Sequence, residues 1–115
     1  MIVGIGIDVT QVSRFSKAAG REGLLERVFT AAEQDASLQR MAGRFAAKEA
    51  IAKALGAPGD LEWHDAEVVS DVSGWPSFEL RGTVAARAEQ MGVERVHLSM
   101  SHDAGVAVAF VVLES

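Results

Sequence analysis

The residues best suited to chemistry fall in two short blocks. The first is Ile2-Val3-Gly4-Ile5-Gly6-Ile7-Asp8-Val9, a β-branched run of the kind that forms strands. The two-residue period of a strand puts Val3, Ile5, Ile7 and Val9 on one face and Gly4, Gly6 and Asp8 on the other. The two glycines clear space on the face where Asp8 projects. The second block is Arg44-Phe45-Ala46-Ala47-Lys48-Glu49-Ala50-Ile51-Ala52-Lys53-Ala54-Leu55. In a helix, Glu49 and Lys53 are four apart and share a face, as do Arg44 and Lys48. A carboxylate on the strand and another on the helix can hold Mg²⁺, which takes one or two protein carboxylates and completes its shell with water and substrate phosphates. Lys53 and Arg44 would then face the phosphate oxygens. The spacing leaves a second reading open, a solvated Glu49–Lys53 pair worth about a few tenths of a kcal/mol.

Other chemistries are excluded by what their motifs require. Gly4-Ile5-Gly6 is not a dinucleotide fingerprint, because position 9 is Val9 and the glycines lie inside the strand rather than after it. No phosphate-binding Gly-x-x-x-x-Gly-Lys-Ser/Thr loop and no Gly-x-Ser-x-Gly elbow is present. Ser99, Ser101, His102 and Asp103 are sequence neighbours, whereas a nucleophilic triad orients its members across space. His97 and His102 flank one strand, and His102 has the better claim to a function because it sits at a turn, where functional groups collect.

These residues need a frame. After the first strand, Thr10 or Ser13 can cap a helix reaching about Ala19, with Gly20 as its stop. A second short helix is expected from Thr30, where Glu33 completes a Thr-x-x-Glu capping box. The clearest helix runs from Gln39 to Leu55 and ends at Gly56 and Pro58. Strands at Glu67–Ser70 and Ser77–Leu80 flank the turn Ser73-Gly74-Trp75-Pro76. A helix from Thr83 to Met91 stops at Gly92. Strands Val96–Met100 and Val106–Leu113 are joined at His102-Asp103-Ala104-Gly105. This order predicts an α+β domain over residues 1–115. It has a small mixed sheet, three helices after the first strand and one between the two later strand pairs.

Composition narrows the setting. The chain has 115 residues, no cysteine, 49% hydrophobic and 23% charged residues, which suits one soluble domain without disulfide or thiolate chemistry. Its start lacks a basic lead-in and the apolar run breaks at Asp8, so no signal peptide is expected. No stretch approaches the roughly 20 apolar residues of a membrane-spanning helix. Neither a membrane partner nor secretion is expected, and the cytoplasm is the default location. The net charge of −5 is uneven: residues 1–55 carry eight Lys/Arg against six Asp/Glu (+2), and residues 56–115 three against ten (−7). Nucleic-acid binders usually carry an overall basic surplus, which is missing here. Arg14, Lys17 and Arg21 fall at i, i+3 and i+7 on one face of the first expected helix. That stripe suits a partner with strong local negative charge, and a solvated charged face is the alternative.

Taken in order, four blocks resemble the holo-acyl-carrier-protein synthase family of phosphopantetheinyl transferases. They are Gly4-Ile5-Gly6-Ile7-Asp8, Arg44-Phe45-Ala46-Ala47-Lys48-Glu49-Ala50 with Lys53, Gly74-x-Pro76, and His97-Leu98-Ser99-Met100-Ser101-His102. The resemblance spans essentially the whole chain. It implies transfer of 4′-phosphopantetheine from coenzyme A to a carrier-protein serine, with release of 3′,5′-ADP. It implies Mg²⁺ on Asp8 and Glu49, and Glu49 and Lys53 as catalytic groups, Glu49 taking the serine proton directly or through water. Coenzyme A contacts would come from Arg44, Lys53, Gly74, Pro76 and His102, and homotrimers with sites between subunits are implied. Arg14, Lys17 and Arg21 would then meet an acidic acyl carrier protein. The segment between Thr30 and Arg44 is shorter than in many relatives, and Trp75 is unusual inside the Gly-x-Pro turn. Two other functions use the same groups: a Mg²⁺-dependent phosphohydrolase of nucleotides or coenzyme A, and a catalytically silent oligomeric module that binds coenzyme A.

Overall fold

The computed structural model describes residues 1–34 and 36–115. The chain runs β1 (Ile2–Gln11), α1 (Val12–Ala19), α2 (Leu24–Val28), a 3-10 turn (Ala32–Gln34) and α3 (Leu38–Ala54). A second 3-10 turn (Trp63–Asp65) leads into β2 (Ala66–Ser70), β3 (Pro76–Leu80), α4 (Gly82–Gln90), β4 (Arg95–Asp103) and β5 (Val106–Glu114). The α+β class and the order of elements match the sequence reading. The sheet differs: among the described residues the strands pair antiparallel in two sheets, β1-β5-β4 and β2-β3, rather than in one mixed sheet. Each strand pair joined by a short turn can only be antiparallel. The two-residue loop Ala104–Gly105 has positive φ at both positions, 51° and 78°, the geometry of the type I′ turn that joins twisted strands.

Helix α3 organises the molecule. The Ser37 hydroxyl caps it by accepting from the Arg40 amide at 3.2 Å, and Gly56 leaves it at φ 86°. Its alanines, Ala42, Ala46, Ala47, Ala50 and Ala54, are buried and let its backbone approach other backbone closely. The partner is β1. A Cβ on Gly6 would run into the Ala50 carbonyl, and one on Gly4 into the Ala54 carbonyl. The space cleared by the two glycines is therefore filled by the helix itself. Beside them, Ala109, Val111 and Leu113 of β5 complete the floor of the main core, which α4 and β2 close with Val84, Ala88 and Val68. A second cluster of Phe15, Val28, Phe29, Met41 and Ala42 secures α1 and α2 against the start of α3.

The other face of β1 is open. Ile5, Ile7 and Val9 are 60%, 54% and 62% exposed, and Phe110, paired with Ile7, is 41% exposed. Val3 does not share that face, because the register shifts between Ile2 and Gly4 and Val3 packs against the core. No helix among the described residues is long and apolar enough to cross a membrane.

Two helix readings are corrected. The Thr30–Glu33 capping box forms, with the Thr30 amide donating to Glu33 Oε1 at 2.9 Å and the Glu33 amide to Thr30 Oγ1 at 3.3 Å. It heads a single 3-10 turn instead of a helix, because the Glu33 carboxylate is also drawn into the interior, as described below. The second helix is instead α2, whose entry through Gly23 at φ 80° carries no side-chain cap.

Candidate active site

The close approach of α3 to β1 determines where Asp8 and Lys53 meet. Lys53 Nζ donates to Asp8 Oδ1 at 3.1 Å and to the Ile7 carbonyl at 3.0 Å. Asp8 Oδ2 accepts from the Thr10 hydroxyl at 3.1 Å. Glu49 lies one turn before Lys53, close enough to feel both charges. Burial first, and then the negative charge of Asp8, push the Glu49 carboxyl above its usual range, while Lys53 pulls it down. Asp8 and Glu49 line one cavity of about 350 Å³ together with Thr10, Arg14 and Phe45. Two carboxylates that repel each other across a cavity are a fitting pair for a cation. Among the described residues no third His, Cys, Asp or Glu joins them, so the remaining ligands of a Mg²⁺ would be water and substrate oxygens.

The guanidinium side of the site is separate. Arg44, Gly74, Pro76 and His102 line a second cavity of about 490 Å³, with Gln39 and Arg40 at its edge. The turn that carries Gly74 is built by Asp71, whose Oδ1 accepts from the Ser73 amide at 2.8 Å and the Trp75 amide at 3.0 Å, with Gly74 at φ 88°. His102 Nδ1 meets Gln39 Nε2 at 3.2 Å. Lys53 is not part of this cavity. Nine residues of helix rotate through roughly half a turn beyond two full ones, so Arg44 and Lys53 leave opposite sides of α3. The structure thus brings together Asp8, Glu49 and Lys53, and separately Arg44, Gly74, Pro76 and His102, but does not join the two groups within one chain.

The basic stripe is also divided. Arg14 and Lys17 are exposed on α1, but the helix ends at Ala19 and Arg21 lies past Gly20, where its amide closes a turn on the Ala18 carbonyl at 3.0 Å. Arg14 lines the Asp8–Glu49 cavity. His97 meets Glu114 at 3.0 Å on the sheet surface, in keeping with a structural role.

Sequence reasoning missed a buried ion pair that joins α3 to the Ala32–Gln34 turn. Lys48 Nζ lies 2.9 Å from Glu33 Oε1, with side chains 1% and 0% exposed. Lys48 also donates to the carbonyls of Trp63 at 2.9 Å and Ala66 at 2.8 Å. Burial lowers the Lys48 pKa against the opposing pull of Glu33. The signal was there: Lys48 lies between Ala47 and Ile51 on the buried stripe of an otherwise alanine-rich helix, where an ammonium must find a carboxylate.

The α+β frame thus carries a carboxylate pair with a lysine on one flank of a helix and an arginine–histidine cavity on the other. A family model described as the 4′-phosphopantetheinyl transferase superfamily matches residues 4–111, and the chain belongs to that family. The chain is 56% identical over 115 residues to the holo-[acyl-carrier-protein] synthase of Clavibacter sepedonicus, covering 99% of this chain and 97% of the relative. It is similar to the crystal structure of the holo-[acyl-carrier-protein] synthase from Neisseria meningitidis, with a TM-score of 0.88 and 33% identity over the whole of both chains. A Bacillus anthracis holo-(acyl-carrier-protein) synthase solved in complex with CoA (3′,5′-ADP) matches with a TM-score of 0.82 and 37% identity, covering 100% of this chain and 98% of that one.

Proposed function

We propose that residues 1–115 form one domain that transfers 4′-phosphopantetheine from coenzyme A to a serine of an apo acyl carrier protein and releases 3′,5′-ADP. The observation that carries the reading is the convergence of Asp8, Glu49 and Lys53 where α3 crosses β1, in a chain so similar to named holo-acyl-carrier-protein synthases. The serine oxygen forms a bond to the β-phosphorus of coenzyme A, and the bond from that phosphorus to the bridging oxygen breaks. The pair of electrons leaves with 3′,5′-ADP. Lys53, half exposed and paired with Asp8, offsets the negative charge that grows on the leaving phosphate. Glu49 accepts the serine proton, directly or through water. Asp8 and Glu49 would hold Mg²⁺, which supplies charge neutralisation of the pyrophosphate when bound. Arg44 and His102, with the Gly74–Pro76 turn, hold the phosphates at the other end of coenzyme A.

A homotrimer reconciles the two cavities. The Arg44 cavity and the Asp8 cavity lie on opposite sides of α3, which supports a reading in which a second copy brings its half to complete a site. The open Ile5-Ile7-Val9-Phe110 face is the apolar surface such an assembly covers. The absence of cysteine agrees with a reducing compartment, and we assign the reaction to the cytoplasm.

Incubation with Mg²⁺, coenzyme A and an apo carrier protein, read by mass spectrometry, is expected to give holo-carrier and 3′,5′-ADP together. Consumption of coenzyme A without a carrier marks a hydrolase, and binding without any product marks a silent module; either outcome overturns the reading. Asp8→Ala and Glu49→Ala are each expected to lose at least about 10²-fold in transfer at limiting Mg²⁺. Sedimentation equilibrium decides the assembly: a 12.2 kDa monomer with full activity would exclude the trimer.

A further inference from the structure

The buried pair Glu33–Lys48 lies between the two walls of the Arg44 cavity and touches both. On the helix side, the Glu33 carbonyl accepts a hydrogen bond from Arg44 Nη1. On the strand side, Glu33 Oε2 accepts from the Val68 amide at 2.8 Å, and Val68 lines the same cavity as Arg44. Lys48 Nζ fills the remaining valence of the carboxylate at 2.9 Å and is itself tied to the start of β2 through the Ala66 carbonyl at 2.8 Å. Every bond that Glu33 makes is to α3, to β2 or to the capping partner Thr30.

This arrangement is costly if stability is its only purpose. Two fully buried charges are often replaced by apolar side chains of similar volume at little loss. What an apolar pair would not reproduce is direction. Arg44 has a long side chain with several rotatable bonds, and a guanidinium aimed at an anion is effective only when its plane is set beforehand. The carbonyl of a residue anchored on both sides supplies that aim. Among the described residues, Glu33 alone holds a hydrogen bond to each of Arg44 and Val68 through its own atoms.

Resting on the phosphopantetheinyl transfer reading above, we infer that Glu33 and Lys48 are positioning residues for the coenzyme A site. They fix the distance between α3 and β2 and orient the Arg44 guanidinium toward a phosphate of coenzyme A. Neither residue touches substrate: Glu33 acts through Arg44 and Val68, and Lys48 acts through Glu33.

The test compares Glu33→Gln, Arg44→Ala and the double variant by titration calorimetry with coenzyme A and by steady-state kinetics. The amide substitution leaves Lys48 its two carbonyl acceptors, so E33Q is the mildest way to release the clamp. E33Q is expected to weaken coenzyme A binding and raise its KM about tenfold, while the KM for the carrier stays within about threefold. In the R44A background the same substitution is expected to add less than about twofold, because the residue it orients is gone. A lower Tm with unchanged coenzyme A affinity, or equal losses in both backgrounds, would overturn the inference and leave the transfer reading standing. Wild-type protein that does not bind coenzyme A at all would overturn both. Should E33Q fail to fold, E33Q with Lys48→Met removes both charges together and carries the same expectations. Independently of any variant, the Nη protons of Arg44 are expected to be individually resolved in the NMR spectrum of the ligand-free protein. A freely rotating, averaged guanidinium there would sink the proposal.

Discussion

Helix α3 carries two lysines five residues apart, each paired with a carboxylate at nearly the same distance, and the two pairs have opposite characters. Lys48–Glu33, at 2.9 Å, is sealed inside the fold; Lys53–Asp8, at 3.1 Å, has a lysine side chain 51% exposed and a carboxylate 15% exposed. Coulomb attraction at these separations is weak in water and strong in a dry interior. The buried pair is therefore committed: every acceptor and donor is filled by protein, and nothing is left to exchange with a ligand. The exposed pair is loosely held, so Lys53 can leave Asp8 for a phosphate at small cost. The same two residue types make a sealed or an exchangeable pair according to how much water reaches them.

The largest effect that separates the two pairs is on stability. Lys48→Met leaves the Glu33 charge buried without its partner and is expected to cost about 3–5 kcal/mol in urea unfolding. A loss below about 1 kcal/mol would mean that the pair is not the closed unit described here. The counterpart, Lys53→Met, is expected to reverse the pattern. Stability changes by no more than about 1 kcal/mol, as for an exposed ion pair. The transfer rate, in contrast, falls about 10²- to 10³-fold, as when a stabiliser of developing charge is removed. Equal activity in K53M and wild type would break the comparison on its catalytic side.

Glu49, between the two lysines, gives a smaller effect with a defined sign. Its carboxyl pKa is raised in the folded protein by burial and by Asp8. The protonated form thus favours the fold, and that contribution is present below the ordinary carboxylate range and is lost as pH rises through the raised value. In metal-free protein, Glu49→Gln keeps a neutral side chain at every pH. It should gain stability relative to wild type between about pH 4 and pH 7, the range that spans carboxylate titration. A pH-independent difference between the two would show that Glu49 is as well solvated as a surface glutamate. The smallest effect belongs to α1. Reversing Arg14 and Lys17 to Glu is expected to raise the carrier KM several-fold, with the wild-type value rising as salt is added, since exposed charges act mainly on association. Arg14 borders the Asp8–Glu49 cavity, so Lys17→Glu alone separates recruitment from any effect on that cavity. Carrier kinetics and salt dependence identical to wild type would return the stripe to a solvated face.

Much of this was legible along the chain because it depends on local pattern. The β-branched period of residues 2–9, the alanine-rich run closed by Gly56, the turn at Gly74 and the Ala104–Gly105 hairpin each follow from backbone preferences within a few residues. The four blocks that carry the family resemblance are equally local. The division into two sheets, with β1 beside β5, was not legible, because which distant strands become neighbours depends on where α3 settles after both glycines admit it. The Thr30–Glu33 box announced a helix, yet tertiary contacts took the Glu33 carboxylate inward and stopped the helix after one turn. The stripe of Arg14, Lys17 and Arg21 lost its third member because a periodic pattern does not fix the residue at which a helix ends.

What the sequence determined by itself, then, is which groups are available and which segments carry them: Asp8 on a strand, Glu49 and Lys53 on one helical face, Arg44 on another. Only the tertiary structure decided which of them share a cavity and which charges lose their water. The seating of α3 against β1 put Asp8 and Glu49 in one cavity and Arg44 in another with Gly74, Pro76 and His102. Burial, set by the packing of β2 and the Ala32–Gln34 turn over Lys48, separated two lysines that are nearly indistinguishable in the sequence. Burial is a property of the whole assembly of elements, and no window of the sequence contains it.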